Sequence, residues 1–173
     1  MNRALIITGK LVQDHEFIYP FYRLKEEGYE VDVAVDNGLE THGQIGIKIM
    51  PNKNFDNINV GDYQMLVLPG GAKCLEYLRQ DIRAIKFIKE FAATGKVIAS
   101  ICHAAQLLIS ARLVKGKKIA AYYSLKDDVE NAGAEFVDMP AVIDGNIVTT
   151  AHYKDMGPWM KAAINMVNKG SEK

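Results

Sequence analysis

Three short apolar runs, Ala4 to Ile7, Gln64 to Pro69 and Lys96 to Ile101, most restrict what this chain can fold into. Each is too short for a buried helix and lacks the alternation of a half-exposed strand, so each is read as a strand covered on both faces, which implies a parallel sheet. Each is closed by a sharp turn, at Thr8-Gly9, Gly70-Gly71 and Cys102-His103. Helical spacing resumes after them. Asp14 to Glu27 places Phe17, Phe21 and Leu24 on one face and stops at Gly28, and Asp81 to Thr94 is amphipathic and stops at Gly95. Ala104 to Ala111 continues as a helix directly from the third turn, and Glu30 to Val35 adds a strand between the first two runs.

Repeated strand-then-helix units predict an α/β fold, a doubly wound three-layer α/β/α sandwich of the flavodoxin-like kind, with a mainly parallel sheet and right-handed crossovers. In such sheets ligands bind beyond the carboxyl ends of the strands, where these three turns converge. The stretch from Asp36 to Asn59 carries Gly38, Gly43, Gly46, Pro51 and alternating Ile45, Ile47 and Ile49, and is expected as a loop with a short antiparallel excursion outside the main repeat. Toward the C-terminus, Lys118 to Tyr123 is expected as a strand, Lys126 to Ala132 as a short helix, Ala141 to Ile143 and Asn146 to Thr150 as a hairpin through Asp144-Gly145, and Gly157 to Asn168 as a last helix.

The 173 residues suit a single domain over residues 1–173, with neither an internal repeat nor a linker. Basic and acidic side chains balance at 21 each, which gives no electrostatic reason to expect a nucleic-acid or membrane partner. The opening MNRALIITGK meets Gly and Lys too soon for a signal-peptide core, and no apolar run approaches the length of a membrane span. Two cysteines, Cys74 and Cys102, make no disulfide framework, and a cytoplasmic location with reactive thiols is the expectation. The four histidines, His15, His42, His103 and His152, lack metal-ligand spacing, so neither a metal nor another cofactor is expected.

The strand-to-helix junction at Cys102 carries the chemistry. A cysteine at a helix N-terminus gains from the helix dipole and from free N–H groups that can stabilise an oxyanion, which would make a thiolate available at neutral pH. The alternative is a small core residue closing a strand, since free cysteine is among the most buried residue types.

The surrounding ASICHAAQLLISA resembles the nucleophile elbow of the PfpI branch of the DJ-1/PfpI superfamily, whose fold is shared with class I glutamine amidotransferases. EFIYPFYRLKEEGYEV, LVLPGG, KDDVENAGAEFVD and GNIVTT resemble further family segments, so the likeness covers nearly the whole chain. The resemblance implies that Glu16, protonated, hydrogen-bonds the Cys102 sulfur and moves protons, and that His103 forms a dyad with Cys102. It implies that Glu76 orients His103 from a neighbouring subunit, so that the protein is a homo-oligomer, a dimer or hexamer. Gly70 and Gly71 would supply oxyanion donors, and Tyr122 would stand near the cysteine. Read without the resemblance, Glu16 and Glu76 are surface charges, His103 and Tyr122 packing residues, and Gly70-Gly71 a tight turn.

Four departures from the family pattern stand out. Gln13 replaces a second glutamate, and Ala104-Ala105 replaces Gly-Pro. Ala151-His152-Tyr153 replaces Arg-x-Pro, leaving His152 in place of an anion-holding arginine. Cys74 stands in what is expected as a loop after Gly71, either as a thiol able to approach Cys102 or as a small packing residue. The function implied is a cysteine-dependent hydrolase or lyase acting on small molecules or peptides: peptide bonds, glyoxals or their adducts on amino groups. Two other readings use the same scaffold: a redox sensor or stress chaperone that oxidises Cys102 without turnover, and an amide- or nitrile-processing biosynthetic enzyme.

Overall fold

A computed structural model describes residues 2–171. In chain order the elements are β1 (Arg3–Ile7), α1 (Asp14–Glu26), β2 (Glu30–Val35), β3 (Thr41–His42), β4 (Lys48–Ile49), β5 (Lys53–Asn54), β6 (Met65–Leu68), α2 (Ala72–Leu78), α3 (Ile82–Ala93), β7 (Val97–Ile101), α4 (Ala105–Ser110), β8 (Lys118–Ile119), α5 (Lys126–Asn131), β9 (Glu135–Phe136), β10 (Val142–Asp144), β11 (Ile147–Thr150) and α6 (Met156–Ser171). A seven-stranded sheet in the order β10-β11-β7-β6-β1-β2-β5 runs through the molecule. It is parallel except where β10 turns back on β11.

The three apolar runs form the centre of this sheet. β1, β6 and β7 are buried almost residue for residue because helices cover both faces, and each fully covered Leu or Ile contributes about 1.5–3 kcal/mol of transfer free energy. On the far side, Trp159 of α6 is fully buried and its Nε1 donates to the Val148 carbonyl at 3.2 Å, locking the last helix to β11. A polar group lies within the sheet too. Asp32 of β2 accepts from Arg3 at 2.8 Å, from Asn52 at 2.6 Å and from the Tyr63 hydroxyl at 2.8 Å, so β1 and two connecting segments are tied to one buried carboxylate.

Because β1 lies between β2 and β6, the chain winds outward on one side of it and then crosses to the other. The crevice beyond the carboxyl ends of β1 and β6 is therefore the topological switch point.

Four expectations are corrected. Within residues 36–59, β3 and β4 form the antiparallel excursion, but Lys53–Asn54 joins the main sheet as an edge strand beside β2; two residues carry no readable period. The segment after Gly71 is helix α2 rather than a loop. Lys118 to Tyr123 is a strand only at Lys118–Ile119, which pairs with β9 in a separate ladder. Beyond it, Ala120 N–H bonds the Thr149 side chain and Tyr122 N–H bonds the Cys102 carbonyl, so the chain crosses the end of the sheet instead of extending it. The hairpin turns at Gly145-Asn146, one residue later than expected, since Asp144 pairs with Ile147.

Candidate active site

Cys102 follows β7 with no intervening loop and adopts φ 61°, a left-handed conformation that a residue with a Cβ rarely takes. This is the sharp strand-to-helix elbow that thrusts a nucleophile out of a sheet. Ile101 is still extended, and a single turn of 3-10 helix, Cys102–Ala104, leads into α4. Backbone strain here is offset by packing, because Cys102 and Ala104 are buried and the Cys102 carbonyl accepts the Tyr122 N–H at 3.1 Å.

Glu16 comes from the first turn of α1 and is fully buried. Its Oε2 accepts the Gly70 N–H at 2.8 Å, while no N–H or O–H donor reaches Oε1. The carboxyl also faces the Cys102 thiol as a hydrogen-bond partner. Burial raises its pKa to about 7, against the opposing pull of Cys102 and the Gly70 N–H, so a protonated Glu16 is accessible near neutrality.

The sequence-based expectation of a thiol lowered by the helix dipole is corrected. Burial pushes the Cys102 thiol up, and an ionised Glu16 beside it pushes further, while the His103 and Gly71 N–H groups pull down. With only six residues, α4 has too small a dipole to overcome this burial. Glu16 and Cys102 therefore share protons as a pair. When Glu16 holds one, the charge repulsion disappears and the thiolate keeps two backbone donors.

His103 Nδ1 stands 3.2 Å from the Cys102 sulfur, so the adjacent dyad is formed. Its ring stacks on Tyr122 at 4.7 Å, and burial pulls its pKa below the ordinary value, favouring the neutral imidazole that can take a proton.

The two glycines divide their roles. A Cβ on Gly70 would strike Glu16 Oε2 and stand 2.8 Å from Cys102 Cβ, so only glycine lets these elements meet. Its N–H is taken by Glu16 and its carbonyl by the Gln13 N–H, so the expectation that Gly70 donates to an oxyanion is corrected. Gly71, at φ 106°, directs its N–H toward the sulfur instead and keeps the oxyanion role geometrically open.

These groups open into a cleft of about 460 Å³ lined by Gln13, Glu16, Gln44, Gly71, Ala72, Cys102, His103, Tyr122, His152 and Tyr153. Gln13 is the residue capping α1, and its Oε1 is buried without a donor. His152 uses Nδ1 to accept the Lys154 N–H at 3.2 Å, which orients its ring into the wall. Sequence reasoning missed Gln44, which has no motif around it, and Asp14. The Asp14 carboxylate accepts the Ile45 and Ile47 N–H groups at 2.7 and 2.6 Å and so holds the loop that carries Gln44.

Glu76 is not brought to this cleft within the chain; it lies exposed on α2, paired with Lys73 at 2.7 Å. Cys74 is buried at 1% exposure in a second cavity with Thr8, Gly9 and Tyr77, and burial pushes its thiol up to about 12. It does not line the Cys102 cleft. Among the described residues no cluster of three or more His, Cys, Asp or Glu is placed to hold a metal ion.

Fold and site together define an α/β protein with a cysteine on a nucleophile elbow, backed by a buried glutamate and a vicinal histidine. Residues 2–166 match the DJ-1/PfpI family, and the chain belongs to it. It is 37% identical over 166 residues to Deglycase PfpI of Pyrococcus furiosus, covering 95% of this chain and 99% of that protein. It is 35% identical over 167 residues to Protein/nucleic acid deglycase 2 of Escherichia coli, covering 95% and 96%. A crystal structure of a two-domain protein from Anabaena variabilis, with DJ-1/ThiJ/PfpI-like and ferritin-like domains, superposes with a TM-score of 0.94 at 27% identity. That match takes in 97% of this chain and spans about half of the other, 48%. Among the described residues no helix is long and apolar enough to cross a membrane.

Proposed function

We propose that this protein is a cysteine-dependent enzyme that removes glyoxal-derived adducts from amino groups, with Cys102 as nucleophile. The observation that carries this reading is the buried pairing of Glu16 with a strained Cys102 whose sulfur stands 3.2 Å from His103 Nδ1. The deglycase names of its relatives support a carbonyl substrate over a peroxide-consuming sensor or an amide- or nitrile-processing enzyme.

Transfer of one proton from the thiol to Glu16 or His103 frees the thiolate. Its sulfur adds to the glyoxal-derived carbon, and the bond from that carbon to nitrogen breaks as the amine leaves with a proton. The C–H proton then passes to the neighbouring carbonyl carbon, and the hydroxyl proton to that carbonyl's oxygen, giving a 2-hydroxy thioester. Water cleaves the thioester to a 2-hydroxy acid and restores the thiol. The sum is adduct plus water giving amine plus acid, with no outside oxidant. The Gly71 N–H supports the developing oxyanion.

The test is lactate release from methylglyoxal-treated Nα-acetyl amino acids. Wild type is expected to turn over many equivalents and Cys102→Ala none. Equal rates in both, or a wild type that consumes only one equivalent of peroxide and turns over nothing, would overturn the reading.

A further inference from the structure

The cavity that encloses Cys74 shares no lining residue with the Cys102 cleft. It measures about 360 Å³ and lies beyond the carboxyl ends of β1 and β2, bounded by the residues that follow each strand and by α2. That end of a parallel sheet is where ligands bind, and the volume suits a small molecule.

Its floor is apolar, formed by the buried side chains of Val35, Phe55, Cys74 and Leu78. One polar group stands among them. The Thr8 hydroxyl is 1% exposed and has no hydrogen-bond partner of proper geometry among the described residues. The Cys74 thiol faces it, but sulfur is a weak acceptor.

Most charges at the mouth are already engaged. Glu40 pairs with Lys48 at 2.8 Å and Asp81 with Arg83 at 2.7 Å, while Lys10 Nζ lies 4.0 Å over the Tyr77 ring. Asn37 Oδ1 accepts the Leu39 N–H at 2.9 Å, which fixes the amide and leaves its NH2 group to donate. Asp36, the residue after β2, carries the carboxylate that no described residue bonds.

The open groups are therefore an acceptor-only carboxylate, a donor amide next to it in the chain, and a buried hydroxyl able to do either. With three carboxylates in the lining and Lys10 as its one cation, an anion is disfavoured. A compact ammonium would pair with Asp36 and leave Asn37 and Thr8 unanswered. Vicinal hydroxyls on a ring satisfy the whole set, since each can donate to a carboxylate and accept from an amide while the ring carbons lie on apolar side chains. In dinucleotide-binding sheets a carboxylate at the end of the second strand holds ribose hydroxyls in the same way.

We propose that this cavity is a second ligand site, one that takes a neutral furanose ring with its diol on Asp36 and Asn37 and a further oxygen on the Thr8 hydroxyl. The site is independent of the reaction at Cys102. A free pentoside and a nucleoside share this chemistry, and the test separates them.

The isotope-labelled full chain is titrated, by nuclear magnetic resonance, with adenosine, methyl β-ribofuranoside and the 2-deoxy analogue of each. Ribose compounds are expected to shift the amide signals of Gly9, Asn37, Thr41 and Tyr77 and to leave those of His103 and Tyr122 in place. Each deoxy analogue should bind at least about 10-fold more weakly, because a hydrogen bond to a charged group is lost. Asp36→Asn, at an exposed position where the variant should fold, is expected to weaken the ribose compounds by about the same factor and to reduce the discrimination. Thr8→Val, which keeps the side-chain shape, should weaken them by roughly 2- to 12-fold. Diol-dependent binding of adenosine alone assigns the site to a nucleoside, and of both ribose compounds alike to the sugar; either result supports the inference. Equal affinity for ribose and deoxy compounds, shifts centred on the Cys102 cleft, unweakened binding by Asp36→Asn, or no binding at millimolar concentration would overturn it. Cys102→Ser should bind as wild type does, so loss of the proposed reaction leaves this site standing.

Discussion

Glu16 shows how a single side chain can be costly to the fold and useful to the site. A solvent-exposed glutamate at this helix position would be unremarkable, but here the side chain turns under Gly70 and loses its water. Its pKa rises from 4.5 to about 7, so the native state binds the proton more tightly than the unfolded chain. Its contribution to stability is present in full below about pH 4.5 and is lost as pH rises through about 7. A shift of this size amounts to about 3 kcal/mol. Glu16→Gln keeps an acceptor for Gly70 and has no proton to lose. Thermal unfolding of the two proteins should therefore show wild type losing stability between pH 5 and pH 8, and the Gln variant holding it. Parallel pH profiles would mean that Glu16 is ionised throughout.

At the scale of elements, the site is a junction between three turns, and its precision comes from what stitches them. Gln13 N–H bonds the Gly70 carbonyl at 3.2 Å, joining the start of α1 to the turn after β6. Asp14 then fastens the β3–β4 excursion by two backbone bonds; burial works against its ionisation, but the Ile45 and Ile47 N–H groups hold its pKa below the ordinary value. Leu11 and Gln44 complete the seam, bonding His42 and Val12 at 2.8 Å. Asp14→Ala removes a charged acceptor from two N–H groups and is expected to cost about 2–4 kcal/mol in denaturant unfolding. The same variant should raise KM more than it lowers kcat, because it loosens Gln44 in the cleft wall and leaves Cys102, His103 and Glu16 in place. A fall in kcat at unchanged KM would assign the excursion a role in the chemistry itself.

Taken as a whole molecule, the described residues include no carboxylate hydrogen-bonded to His103, while Glu76 lies on an exposed helix face. Tyr77, next in sequence, is 45% exposed, and Ile82 at the start of α3 is 81% exposed. The proposed function extends naturally to an assembly in which Glu76 of one copy orients His103 of another. Sedimentation should give a homo-oligomer at micromolar concentration, and Glu76→Gln should slow turnover at least about 10-fold without dissociating it. A monomer with full activity would remove Glu76 from the site.

Much of this was legible in one dimension. The central strands were readable because burial on both faces leaves unbroken apolar runs, and the elbow because a nucleophile between strand and helix demands a compressed junction. Cys102, His103 and Glu16 followed from motif resemblance, and their proximity is a property of the turns that carry them. Other features had no local signature. Strand β5 is two residues held by its neighbour, α2 follows a glycine pair that reads as a loop, and Gln44 reaches the cleft only because Asp14 captures its loop. The direction of the Cys102 pKa was likewise beyond the sequence. A helix N-terminus can be read from residue order, but desolvation depends on every atom that packs around the sulfur. Local pattern determined which residues could meet; tertiary packing decided how much water they lost, and with it where the proton resides.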